Sequence, residues 1–159
     1  MRVHIMSATP DQAGLVQGIV RAAFAEYGDH WDVPFAALSE TFGDVVRAIQ
    51  QGGALLAWIE QEPVGSARFR ITAAGKFIIE RVAVLPSYQG NGIAGAMLAH
   101  LENIALDSGC HTLELTTRLA LPRVMGLYRK HGYEIEAFES ETGRVLMSKL
   151  LVSTAVLVS

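Results

Sequence analysis

Val16, Ile19, Val20, Ala23, Phe24 and Tyr27 recur at helical spacing and predict a first helix with one buried stripe. Thr9-Pro10-Asp11-Gln12 stands at its start, combining a capping box with a proline at the first helical position. Residues 2–6 alternate and read as a short strand. Beyond a polar, aromatic loop at 28–34, Leu38, Phe42, Val45, Val46 and Ile49 share a face of a second helix that stops at Gly52-Gly53.

The period then changes. Residues 54–59, 64–71 and 76–85 are strand-like runs separated by short turns at Pro63 and Ala73-Ala74-Gly75. Connections this tight exclude parallel crossovers, so an antiparallel meander is expected. Met97, Leu98, Leu101, Ile104 and Ala105 mark a long helix ending at Gly109. A strand (112–117), a short helix (122–131) and two strands (133–139 and 144–152) complete the chain. The predicted order is β-α-α-β-β-β-α-β-α-β-β, an α/β protein with a sheet of mixed direction.

A length of 159 residues fits one domain, 1–159. Half of the residues are apolar and 18% charged, a globular composition. The net charge of −3 gives no basic footprint, which argues against general nucleic-acid binding. A single cysteine, Cys110, leaves no internal disulfide and no multi-cysteine zinc site. No apolar run reaches the ~18–20 residues of a membrane span. The amino-terminal residues lack the apolar centre of a signal peptide, so a soluble, cytoplasmic domain is expected.

The most informative segment is Val82-Ala83-Val84-Leu85-Pro86-Ser87-Tyr88-Gln89-Gly90-Asn91-Gly92-Ile93-Ala94-Gly95. A strand enters a glycine-rich turn that opens a helix, which brings unpaired N–H groups and a helix dipole to one point suited to phosphate. Gly90-x-Gly92-x-x-Gly95 also satisfies the dinucleotide fingerprint, with Glu114 about 20 residues on. Against that reading, four residues separate strand from first glycine, where the dinucleotide turn is tight. The strand also closes a meander rather than opening a βαβ unit, and the chain is short for a second nucleotide half.

Gln89-Gly90-Asn91-Gly92-Ile93-Ala94 fits the Q/R-x-x-G-x-G/A motif of the GNAT acyltransferase superfamily, after a strand reading Glu80-Arg81-Val82-Ala83-Val84-Leu85-Pro86. Leu127-Tyr128-Arg129-Lys130-His131-Gly132-Tyr133, about 40 residues downstream, resembles that family's second signature. The element order resembles the GNAT fold over essentially the whole chain. The resemblance implies a mostly antiparallel sheet flanked by helices, whose fourth and fifth strands splay apart to hold acetyl-CoA. The backbone of Val82, Ala83, Val84 and Leu85 would pair with the pantetheine arm, and the amides of Gln89, Gly90, Asn91, Gly92, Ile93 and Ala94 would hold the pyrophosphate. It further implies direct transfer of the acetyl group to a primary amine of a small molecule or an exposed amino group, without a covalent enzyme intermediate. Cys110, after a turn glycine and with no nucleophile signature, fits a structural thiol.

Such transfer needs the amine deprotonated, the carbonyl oxygen met by donors and the departing thiolate protonated. Tyr128 stands where the resemblance places the family's general acid, on a face shared with Val124, Leu127 and His131; the plainer reading is a core tyrosine. Glu80 interrupts the apolar run Phe77-Ile78-Ile79, where a charge is costly unless paired or useful. It is either a proton acceptor, directly or through water, or the ion-pair partner of Arg68 or Arg70. The oxyanion donors implied are backbone N–H groups near Val84, where the family's strand is bulged. Leu121-Pro122 departs from the Asn common at the start of the family's last helix, so that either Arg118 supplies the contact or the contact is absent.

The loop Gly28-Asp29-His30-Trp31-Asp32-Val33-Pro34, with Tyr27, is either an acceptor-pocket wall receiving a cationic amine or an ordinary capped loop. Neither Asp29-His30-Asp32 nor the scattered histidines are assigned a metal. The apolar tail after Lys149 is expected to pack as a strand, with a homodimer interface as one place for it. Two further readings stay open: a domain that binds acyl-CoA without turnover, and a nicotinamide-dependent oxidoreductase.

Overall fold

The computed structural model describes residues 2–25, 36–119 and 121–151. The loop from Tyr27 to Pro34 and the tail beyond Leu151, on which two of the expectations rest, lie outside the described residues. Contacts divide the chain into two compact units, Met1–Arg70 with Glu80–Met97 and Ile71–Ile79 with Leu98–Ser159.

In the first unit, β1 (Val3–Ser7), β2 (Gly53–Ile59) and β3 (Glu62–Ile71, up to Arg70) form an antiparallel ladder. β2 is apolar throughout and its residues Ala54 to Ala57 are all buried, as in a strand covered on both faces. Pro10–Gln12 is a single 3-10 turn leading into α1 (Ala13–Ala25), with the Gln12 side chain accepting the Thr9 N–H at 3.0 Å. α2 (Phe42–Gln51) starts at Thr41, whose hydroxyl accepts from Asp44 N–H while the Asp44 carboxylate accepts from Thr41 N–H. The helix buries Val45 and Ile49, but Phe42 is exposed and Leu38 belongs to a separate 3-10 turn, Ala36–Leu38. The expected apolar face of this helix is therefore two residues shorter than its spacing implied.

In the second unit, β5 (Thr112–Arg118) pairs antiparallel with β7 (Arg144–Leu150), and β7 with β6 (Glu134–Glu139). Phe77, Leu98, Leu101, Leu113, Tyr133 and Met147 are fully buried among its residues. β4 (Phe77–Val84) and α3 (Ile93–Asp107) each belong partly to both units. Thr72 N–H donates to Lys76 carbonyl at 2.9 Å, closing the hairpin turn between β3 and β4.

The hydrogen-bonded strand order is β1-β2-β3-β4-β5-β7-β6, a seven-stranded mixed sheet. Its parallel register runs from Phe77↔Leu113 to Ile79↔Leu115 and stops there, although β4 continues to Val84 and β5 to Arg118. The parallel pairing thus takes in only the first three residues of β4. Contrary to the expectation that the strand before the glycine turn opens no βαβ unit, β4, α3 and β5 make one, because β4 both closes the meander and pairs parallel with β5.

Candidate active site

All the residues expected to hold cofactor, and Glu80, fall in the first unit; Tyr128 falls in the second. Each group is built by local chemistry.

β4 does not run straight. Arg81 has φ of 53°, a left-handed conformation in mid-strand. For a residue with a Cβ this costs about 1–2 kcal/mol. Past the kink, Leu85 N–H donates to Val64 carbonyl of β3 at 2.9 Å. By strand alternation Ala83 also turns its backbone groups toward β3, and Val82 and Val84 turn theirs to the opposite edge. The four residues expected along the pantetheine arm thus divide into two that face that edge and two that face β3. The left-handed residue Arg81 stands three positions before Val84.

The turn that follows is braced. Pro86–Tyr88 makes a 3-10 turn, and the Tyr88 hydroxyl donates to the Glu62 carboxylate at 2.7 Å, which raises the phenol's pKa. Gln89 Nε2 donates to Val84 carbonyl at 3.2 Å, and Asn91 Nδ2 to Tyr88 carbonyl at 2.9 Å. Gly90 and Gly92 have φ of 81° and 78°, and an added Cβ at either would meet no atom within 4 Å. Backbone conformation, not crowding, demands glycine here. The first helical bond of α3 is Ala96 N–H to Gly92 carbonyl, so the N–H groups of Ile93, Ala94 and Gly95 precede any acceptor within the helix. Three such amides in series, with the dipole behind them, suit a pyrophosphate.

Glu80 is one-third exposed and forms an ion pair with Arg70 Nε at 2.9 Å. The ion-pair alternative with Arg70 is therefore present. Arg68 cannot serve, because it is committed to Glu40 through two bonds of 3.0 and 2.5 Å. Glu80 and Arg70 line a cleft of about 270 Å³ together with Asp44, Arg47, Gln51 and Arg68. Glu114, the acid of the dinucleotide reading, is paired with Lys76 at 2.9 Å.

Tyr128 is buried near the end of α4 (Pro122–Lys130). The helix closes with a paired-bond cap: Gly132 N–H donates to Arg129 carbonyl and Tyr133 N–H to Tyr128 carbonyl, both at 3.0 Å, with Gly132 at φ 92°. This geometry brings the residue after the glycine back onto the one five positions earlier. The Tyr128 and Tyr133 rings accordingly meet edge to face at 6.0 Å. The spacing Tyr-x-x-x-Gly-Tyr is thus the sequence of a helix stop that fixes Tyr128. Burial, then the nearby Glu102 carboxylate and Tyr128, push the Tyr133 phenol well above its ordinary range. Lys149 Nζ bonds both Glu102 Oε1 and His131 carbonyl at 2.8 Å, capping the helix end with a cation. Neither Lys149 nor Glu102 was visible as part of this assembly in the sequence.

Leu121 occupies the N-cap of α4 without a side-chain bond. Arg118 stands opposite Arg144 in the β5–β7 register, and burial together with that neighbour lowers its pKa. Cys110 is buried. Among the described residues no helix is long and apolar enough to cross a membrane, and no cluster of three or more His, Cys, Asp or Glu is arranged to hold a metal.

The sequence profile of the acetyltransferase (GNAT) family matches residues 19–133. Among curated proteins, the uncharacterised N-acetyltransferase YjcF of Bacillus subtilis is 34% identical over 76 residues, 47% of this chain and 51% of that protein. YyaT of the same organism is 31% identical over 98 residues, 60% of this chain and 64% of that protein. The matched stretch spans less than two thirds of either relative. Of the solved structures, the PaiA N-acetyltransferase of Thermoplasma acidophilum in complex with coenzyme A superposes with a TM-score of 0.82 at 16% identity, covering 94% of this chain and 99% of that one. The ribosomal-protein-S18-alanine N-acetyltransferase of Escherichia coli gives 0.76 at 16% identity, covering 96% of each chain. At these identities the likeness is one of fold.

Proposed function

Since the chain belongs to the acetyltransferase (GNAT) family, we propose that it transfers an acetyl group from acetyl-CoA directly to a primary amine, as one cytoplasmic domain of residues 1–159. The observation that carries this reading is the run from the kink at Arg81 to the left-handed glycines Gly90 and Gly92 at the start of α3. Val82 and Val84 offer backbone groups to the extended arm of the cofactor, and the amides from Gly90 to Ala94 take its pyrophosphate, the Gln89 N–H being bonded to Pro86 carbonyl at 3.3 Å. Bound acetyl-CoA supplies the acetyl group as an activated thioester.

Tyr128 donates the proton that the departing thiolate takes up as the carbon–sulfur bond breaks. Glu80, directly or through water, accepts the proton that the amine gives up as its nitrogen bonds the acetyl carbon. The cleft beside Glu80 receives the acceptor. Its three arginines, Arg47, Arg68 and Arg70, are each paired with an acid, Asp44, Glu40 and Glu80, so the lining offers balanced polar partners rather than a charge surplus.

Thermal stabilisation by acetyl-CoA and coenzyme A, with NADH and NADPH as comparators, tests the cofactor. At 100 times its dissociation constant a ligand adds ~2.7 kcal/mol, a rise of about 5–10 °C for a protein of this size. Stabilisation by nicotinamide cofactors alone overturns the reading. Turnover with matched amines, tyrosine against tyramine and arginine against agmatine, tests the acceptor. Binding of coenzyme A with no turnover of any amine would favour the non-catalytic acyl-CoA domain.

A further inference from the structure

The sequence Glu80-Arg81-Val82 contains no Gly, Asn or Asp, the residues that take a left-handed conformation readily. The kink at Arg81 must therefore be held from outside the strand. The Arg81 guanidinium lies 3.4 Å from Glu40 Oε1 through Nε, which is buried and makes no hydrogen bond, so the contact is one of charge rather than direction. Glu40 is itself immobilised. Arg68, 3% exposed, grips its carboxylate with both terminal nitrogens. Its main-chain carbonyl accepts from Gln17 Nε2 at 3.1 Å and Arg21 Nη2 at 3.3 Å, both on α1. Thr41, the next residue, caps α2. The Glu40 backbone is thereby tied to α1 and adjoins the cap of α2, while its carboxylate is held from β3 and directs its remaining charge at the left-handed residue of β4.

Resting on the acetyl-CoA reading, we propose that Glu40 is a positioning residue for that reaction: its anchored carboxylate holds Arg81 in the kink and so fixes the edge to which Val82 and Val84 present their N–H and carbonyl groups. A strand that straightened at Arg81 would shift its alternation by one residue and turn those groups toward β3. Ala83 and Leu85 would face the cofactor edge in their place.

Two substitutions at one position separate this from plain packing. Arg81→Gly and Arg81→Ala both remove the guanidinium, but only glycine takes the left-handed conformation without a steric cost. Coenzyme A is titrated calorimetrically into the full-length wild type and both variants. Arg81→Gly is expected to bind within about twofold of wild type, and Arg81→Ala about fivefold or more weakly, the fold-change matching the left-handed penalty of a residue with a Cβ. The same order is expected in KM for acetyl-CoA once an acceptor is found, with kcat moving less. Ala binding as well as wild type, or Gly binding as weakly as Ala, overturns the role of Glu40 and leaves the acetyl-CoA reading standing. Failure of the wild type to bind coenzyme A removes both. Glu40→Gln is expected to weaken binding by a similar factor alone and to add no further loss in the Arg81→Gly background; a further loss there would mean that Glu40 acts elsewhere.

Discussion

Replacing Lys149 by methionine removes the cation that closes α4 while keeping an apolar stem of similar reach. Nζ makes two bonds of 2.8 Å, to the Glu102 carboxylate and the His131 carbonyl, and lies 5.9 Å from the Tyr133 ring centre. Hydrogen bonds to charged groups contribute about 1.5–3 kcal/mol each when well buried. The two side chains are 25% and 21% exposed, so solvent screening halves that range. The aromatic contact lies at the outer limit of cation–π attraction and adds little. The expected loss is about 2 kcal/mol, or roughly 4–8 °C in melting temperature for a domain of this length. Urea unfolding at constant slope measures it, and a cycle with Glu102→Gln should return a coupling of about 1 kcal/mol. A loss under about 0.5 kcal/mol, or additive single effects, would mean that the cluster does not hold the helix end.

Tyr128→Phe should lower kcat by about 10²-fold or more while leaving stabilisation by coenzyme A unchanged; equal loss of both removes the general-acid role. Glu40→Gln should cost about 3 kcal/mol in urea unfolding, the low end for breaking a buried ion pair, because the amide oxygen still accepts one bond from Arg68. Bonds to Thr41, backbone first, hold the Asp44 carboxyl below its ordinary 3.8. Its contribution is therefore present above that pH and lost as pH falls through the lowered value. The stability gap between wild type and Asp44→Asn, open at pH 7, should close on acidification below the carboxylate range, as acid titration of both melting curves would show.

Much of this was written in the sequence because local backbone chemistry leaves marks there. Gly90 and Gly92 were legible since a left-handed turn at a strand–helix junction leaves few residues to choose from. Gly132 between two aromatic residues was legible for the same reason, although the cap geometry that joins Tyr133 to Tyr128 had to be seen. Long-range charge pairing left no such mark. Glu80 had two candidate arginines, and the choice of Arg70 follows only once Arg68 is committed to Glu40, 28 residues away in the chain. The kink at Arg81 was hidden because its cause is that distant carboxylate and not a permissive residue. Leu38 and Phe42 misled because helical spacing records which residues share a face, and not how far the covering layer extends.

Cys110 gives the molecule a built-in clock. It is the chain's only sulfhydryl, 3% exposed, and its N–H is bonded to Ala105 carbonyl at 2.8 Å in the turn that ends α3. A thiol reagent reaches such a group only when the surrounding segment opens, so the rate of labelling reads the free energy of that opening. No engineered probe is needed: one mass increment per molecule counts how often the start of β5 comes apart, with and without a ligand present.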